Sequence, residues 1–132
     1  METSGNPLTH AVLRGSYNRY NRHEPNYHYE DLIDLAERYE KLGLLNPAVI
    51  VDTNHSNSAK RCTEQPRIAW EVMESRKYSP LLRKLIKGFM VESYLEEGAQ
   101  GVNDAVYGKS ITDPCLGWDA SEKLVRDIAA ML

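Results

Sequence analysis

The 132-residue sequence predicts an α/β fold of the parallel kind, with about three β/α units of the sort that build a (β/α) barrel. Three observations carry this. Short continuous apolar runs, as expected of strands buried on both faces, alternate with stretches of helical periodicity. Three of those runs end in a residue that holds anions or metals: AVLRG reaches Arg14, AVIVDTNH reaches His55 and GFMVES reaches Glu92. The two long aperiodic segments follow strands, on the side where a barrel carries its functional loops. A complete eight-stranded barrel takes roughly 250 residues, so this chain supplies only about half of one.

The elements read in order as follows. Residues 10–15 are β-like and end at Gly15, with His10 opening the strand. The segment SYNRYNRHEPNYH, residues 16–28, is rich in Asn, Tyr, Arg and His and reads as a solvated loop facing the mouth. From Tyr29 the apolar residues Leu32, Leu35, Ala36, Tyr39 and Leu42 keep helical spacing, and Gly43 supplies the left-handed stop. Ala48–Val51 after Pro47 forms the second strand, and Asp52–His55 marks its polar end.

A second helix places Ile68, Ala69, Val72 and Met73 on one face, with Pro66 in its first turn or kinking it. Residues 81–87 (LLRKLIK) read as a short helical turn before a third strand at Phe89–Ser93. Residues 94–118, holding Gly98, Gly101, Gly108 and Gly117, form the second long loop, in which Glu96 and Glu97 read as solvated charges. Asp119 with Glu122 three residues on makes a capping-box-like start to a last helix. Its apolar stripe is Leu124, Val125, Ile128, Ala129 and Leu132, and it is expected to run to the chain end.

Composition narrows the function classes. The hydrophobic share of 42% suffices for a core, and residues 1–132 read as one domain, a partial barrel. Sixteen basic and 19 acidic residues are scattered to a net charge of −3, which argues against a nucleic-acid surface. No apolar stretch approaches the roughly 20 residues that span a bilayer, and the polar start METSGNPLTH lacks signal-peptide order. A soluble, cytoplasmic protein is expected, with no membrane partner. Cys62 and Cys115 are a single widely spaced pair, which fits reduced thiols better than a disulfide scaffold.

His55 lies in DTNHSNS among small polar residues, a setting for a ligand or an acid/base group more than for a core packer. Glu92 brings a carboxylate to the end of the run Phe89-Met90-Val91, and a charge near burial needs a partner or a metal. Asp113 precedes Pro114, which biases its backbone to an extended form; it either aims a side chain or makes a turn. Arg14 beside Gly15 suits bidentate binding of phosphate or carboxylate, or an ion pair at a strand end. Lys109 in YGKS adds a positive charge near an anion or is a solvated loop lysine. Arg14, His55 and Lys109 are the candidate catalytic residues, with Arg14 and Asp113 on the substrate. His55, Glu92 and Asp113 form a plausible, unspecific ligand set for a first-row divalent metal. The residues alone point to a metal-assisted lyase or transferase acting on an anion.

The strings LRG, EPNY, VDTNHSNSAK, MVESYLEEGAQ and YGKSITDPCLGW, in this order and spacing, resemble the type I 3-deoxy-D-arabino-heptulosonate 7-phosphate (DAHP) synthases. The resemblance runs from about Thr3 to Leu132 and implies the carboxyl-terminal part of a (β/α)8 TIM barrel, strands six to eight with their helices. It also implies a metal-dependent condensation of phosphoenolpyruvate with erythrose 4-phosphate, the first step of the shikimate pathway to aromatic amino acids. In the family a cysteine, a histidine, a glutamate and an aspartate hold a divalent metal of the Mn, Fe, Co or Zn class. The last three match His55, Glu92 and Asp113, while Arg14 matches an arginine that binds phosphoenolpyruvate.

Departures limit the implication. The family's cysteine ligand, and most groups that bind the substrate phosphates, belong to the half of the barrel that this sequence does not cover; neither Cys62 nor Cys115 aligns with that cysteine. Ser16 stands where the family often has a second glycine, and Pro66 falls inside a helix start. The chain alone is expected to have little synthase activity and to form a homo-oligomer through its exposed sheet edge, or to complement a separate amino-terminal half.

Overall fold

The computed structural model describes residues 4–132. Thr3, where the family resemblance begins, and the first residues of the polar start lie outside the described residues. Strand β1 (Ala11–Leu13) leads into a short hairpin of β2 (Ser16–Tyr17) and β3 (His23–Glu24), then helix α1 (Tyr29–Leu42) and strand β4 (Val49–Asp52). A 3₁₀ turn at Cys62–Glu64 opens helix α2 (Gln65–Tyr78), followed by α3 (Pro80–Leu85) and β5 (Ile86–Met90). A two-stranded ribbon of β6 (Glu96–Ala99) and β7 (Lys109–Ser110) precedes helix α4 (Trp118–Ala130).

The sheet is parallel with the order β1-β4-β5, so each crossover carries a helix, as the alternating pattern predicts. Leu13 pairs with Val51, and Val51 with Phe89. One face of the sheet is sealed by α1, α2 and α3. Leu32, Ala36, Ile68, Val72, Leu82 and Leu85 close on Val49, Val51 and Ile86 there. Leu32, Ile68 and Leu82 are fully buried, each contributing about 1.5–3 kcal/mol by leaving water. The opposite face has no such cover among the described residues: Val12 is 39% exposed and Met90 42%. A parallel sheet ordinarily buries both faces. A second, smaller cluster joins Ala69 of α2 to Leu116 and Leu124.

Helix α1 starts and stops where its sequence says. His28 and Asp31 form a capping box, and Gly43 adopts the left-handed conformation at φ 58°. Pro66 sits in the first turn of α2, where its missing N–H costs nothing.

Four expectations need correction. Residues 94–118 are not one long loop: Glu96–Ala99 pairs in parallel with Lys109–Ser110. Residues 16–28 are not a featureless solvated loop: Ser16 pairs with Glu24 and Tyr17 with His23. A side chain reinforces its turn: beside the backbone bonds from Asn18 to Arg22 and from Asn21 to Asn18, the Asn18 carboxamide accepts from the backbone of Tyr20 and Arg22 and donates to Glu24. The third strand begins at Ile86 rather than Phe89 and ends at Met90 rather than Ser93. A bulge lies between the pairs Val49–Ile86 and Ile50–Gly88; it spaces Ile86 and Phe89 three apart and so extends the helical periodicity of Leu82 and Leu85 into a strand. Finally, α4 is capped by Gly117, not Asp119, and it ends at Ala130. Asp119 falls in the first turn, where its charge suits the helix dipole, and Glu122 pairs with Arg126 instead.

Candidate metal centre

The carboxyl ends of β4 and β5 and the segment before α4 bring His55, Glu92 and Asp113 together, with one ligand atom of each within 4.8 Å of the others. His55 lies three residues beyond β4, in a left-handed conformation at φ 41°; Ala59 and Lys60 are left-handed too. Such backbone persists in non-glycine residues only when its surroundings fix it. Here Asn57 does so, donating to the carbonyls of Leu13 and Asp52 while accepting from the Asn26 amide. The Ser56 amide donates to the Arg14 carbonyl, and the Lys60 amide to that of His55.

Glu92 follows β5 by two residues, in a stretch that pairs with Leu116 through an isolated bridge at Ser93. The buried Gln65 at the start of α2 grips it from both sides, accepting from the Glu92 amide and donating to its carbonyl, each at 2.8–2.9 Å. Asn54, fully buried, donates to Glu92 Oε2 at 2.8 Å and to the Pro114 carbonyl at 3.2 Å.

The electrostatics favour a cation. Asp52, 1% exposed, sits 2.6 Å from His55 Nδ1. A carboxylate only accepts, so Nδ1 carries the ring proton and Nε2 is the nitrogen turned to the site. Nε2 stands 3.2 Å from Glu92 Oε1 and 3.6 Å from Asp113 Oδ2. Three lone-pair atoms facing one another repel unless a proton or a metal ion lies between them. One imidazole nitrogen and two carboxylate oxygens suit a first-row divalent ion, and small side-chain rotations would close their spread to the ~2.1 Å radius of such an ion. The carboxylate behind the histidine is the usual partner of a metal-binding imidazole.

Asp113 is held below the usual carboxylate range, chiefly by its hydrogen bond from Lys60 Nζ at 2.8 Å and that ammonium's charge, against partial burial; His55 and Arg14 add smaller effects. Arg14 is exposed at the end of β1, on the same rim. Lys109 opens β7, half-buried. It lines a cavity of about 490 Å³ with Tyr94, Gln100, Thr112 and Cys115, and its ammonium makes no ion pair with the three clustered residues. Burial pushes the Cys115 thiol up, so it remains protonated, and both cysteines are free. His23 is not solvated as expected: Nδ1 lies 3.0 Å from the Ser56 hydroxyl, one residue from His55. Asp52, Asn54, Lys60 and Gln65 were not singled out by the sequence; only the Asp-x-x-His spacing of Asp52 and His55 carries a local signal.

A histidine and two carboxylates gathered at the strand ends of a parallel α/β fold define a class of candidate metal proteins. The comparisons give the family. Residues 1–126 match the DAHP synthetase I family, and the chain belongs to it. It is 43% identical over 131 residues to the Trp-sensitive phospho-2-dehydro-3-deoxyheptonate aldolase of Enterobacter agglomerans, covering 97% of this chain and 35% of that protein. It is 37% identical over 132 residues to the phospho-2-dehydro-3-deoxyheptonate aldolase of Haemophilus influenzae, covering 98% of this chain and 34% of that one. The solved phospho-2-dehydro-3-deoxyheptonate aldolase of Francisella tularensis superposes with a TM-score of 0.83 at 30% identity, over 98% of this chain and 36% of that one. The chain thus spans about a third of the length of these relatives.

Proposed function

We propose that the chain is the carboxyl-terminal part of a DAHP synthase barrel and contributes to condensing phosphoenolpyruvate with erythrose 4-phosphate. The observation that carries this is the convergence of His55, Glu92 and Asp113 from three separate segments in a member of this family. His55, Glu92 and Asp113 would hold a divalent ion of the Mn, Fe, Co or Zn class. Such an ion supplies a Lewis acid for the aldehyde oxygen of the four-carbon substrate. Arg14 offers its guanidinium to the phosphate or carboxylate of phosphoenolpyruvate, from a strand end tied to the His55 segment by the Ser56 amide. Asp52 holds His55 to one tautomer, and Lys60 keeps Asp113 ionised beside the substrate. Lys109, the third candidate catalytic group, adds positive charge in the adjoining cavity.

The test is phosphoenolpyruvate consumption with manganese and erythrose 4-phosphate. The 132 residues alone are expected to show no measurable turnover, and mixing with the remaining part of a family member should restore it. Robust turnover by the chain alone would refute the account of shared substrate binding.

A second reading is a noncatalytic fragment that self-associates or complements a separate amino-terminal half. The uncovered sheet face supports it, as does an apolar groove of about 490 Å³ along α4, lined by Val91, Trp118, Leu124, Val125 and Ile128. Unpartnered apolar faces of this kind mark sites of association. A monomeric mass by light scattering across a wide concentration range would count against self-association.

A further inference from the structure

We infer that Asn54 sets the metal selectivity of this centre by presenting one oxygen of Glu92 to the metal. The inference rests on the proposed metal-binding role of His55, Glu92 and Asp113. Asn54 is 0% exposed, and its carboxamide has a fixed orientation, because Oδ1 accepts from the Ser58 hydroxyl at 2.7 Å. The amide nitrogen is thereby turned to Glu92 Oε2 and the Pro114 carbonyl. The Asn54 backbone is fixed as well, its N–H donating to Asp52 Oδ1 at 2.8 Å. One side chain therefore ties the Glu92 carboxylate, the backbone beside Asp113 and the carboxylate behind His55.

The chemical consequence follows from the two oxygens of Glu92. Oε2 gives one of its two lone pairs to the Asn54 donor and is turned toward it, while Oε1 faces His55 Nε2 at 3.2 Å. A carboxylate held in this orientation presents Oε1 to a metal and makes Oε2 the weaker, less well placed donor. Calcium takes six to eight oxygen ligands and uses bidentate carboxylates to reach that number. A smaller first-row ion is content with fewer ligands and gains more from the imidazole. Asn54 therefore disfavours calcium at a site whose acidic character would otherwise admit it. Asn54 is a positioning residue, acting through Glu92.

The experiment is competitive binding of Mn²⁺ and Ca²⁺ to the full 132-residue chain by calorimetry, with Mn²⁺ also followed by electron paramagnetic resonance. In Asn54→Ser, which lacks the amide donor, the preference for Mn²⁺ over Ca²⁺ is expected to fall by about 10–100-fold, the usual reach of groups behind a metal ligand. Ser58→Ala, which frees the carboxamide to rotate, should move the ratio the same way by a smaller factor and serves if Asn54→Ser fails to fold. An unchanged ratio in either folded variant overturns the inference. Absence of Mn²⁺ binding by the unaltered chain overturns the metal reading and this inference with it, so the two failures are told apart.

Discussion

At the scale of single residues, the candidate site is three donors, His55, Glu92 and Asp113, each held by a neighbouring polar side chain: Asp52, Asn54 and Lys60. His55→Ala or Glu92→Ala should abolish Mn²⁺ binding in calorimetry, since either leaves two donors. Asp52→Asn keeps the size of the side chain but removes its charge, and with the amide oxygen kept by the Asn54 N–H an NH₂ group faces His55 Nδ1 and favours the wrong tautomer; Mn²⁺ affinity should drop by about 10–100-fold. Asp113 gives a pH-dependent outcome. Its value is lowered in the folded chain, mainly by Lys60, so its contribution to stability is present above the ordinary Asp range and is lost as pH falls through the lowered value. Lys60→Met should raise the Asp113 titration midpoint in carboxyl-detected NMR and weaken that dependence, leaving the smaller share due to His55 and Arg14. His55, Glu92 and Asp113 were legible in sequence because each interrupts or closes a distinctive run. Asn54 and Gln65 were not: they are satisfied by partners 60 and 27 residues away, and a buried amide with distant partners looks like any surface amide.

At the scale of elements, periodicity located the helices and failed where side chains or irregular backbone define the structure. Helix α1 was readable from Leu32 to Gly43 because spacing and stop signal agree. Leu32→Ala is expected to destabilise the chain by about 2–5 kcal/mol in urea unfolding, as for other fully buried leucines. The β2–β3 hairpin was unreadable because its strands are two residues each and its turn is reinforced by one asparagine. Its foot is nonetheless critical. Gly15 has φ 69°, and a Cβ there would lie 2.7 Å from the Glu24 carbonyl and 2.8 Å from Ser56 Cβ. Gly15→Ala should therefore cost about 1–3 kcal/mol and weaken Mn²⁺ binding through the displaced Ser56, a pairing of effects that unfolding curves and calorimetry measure separately.

At the scale of the whole molecule, among the described residues one side of the parallel sheet is closed by helices and the other is not. The alternation of strands and helices made the parallel architecture legible, whereas the one-sided cover was hidden because Val12 and Met90 look like core residues in sequence. Val12→Lys together with Val125→Asp, on the open face and the α4 groove, should shift the chain toward monomer in light scattering without unfolding it. An unaltered mass at every concentration would remove the case for association through these surfaces.

Lys87 is the extra residue between the pairs of Ile86 and Gly88, so Ile86 and Phe89 both face the helices three positions apart while Met90 pairs with Asp52 on the adjoining strand β4. Deleting Lys87 alone would close the bulge into an unbroken ladder, with Gly88 still opposite Ile50 and Phe89 still opposite Val51, so Mn²⁺ binding should survive it. One residue inserted after Phe89 would instead turn all that follows to the other face. That change of parity, with every candidate donor still in the chain, should move Glu92 away from His55 and silence metal binding.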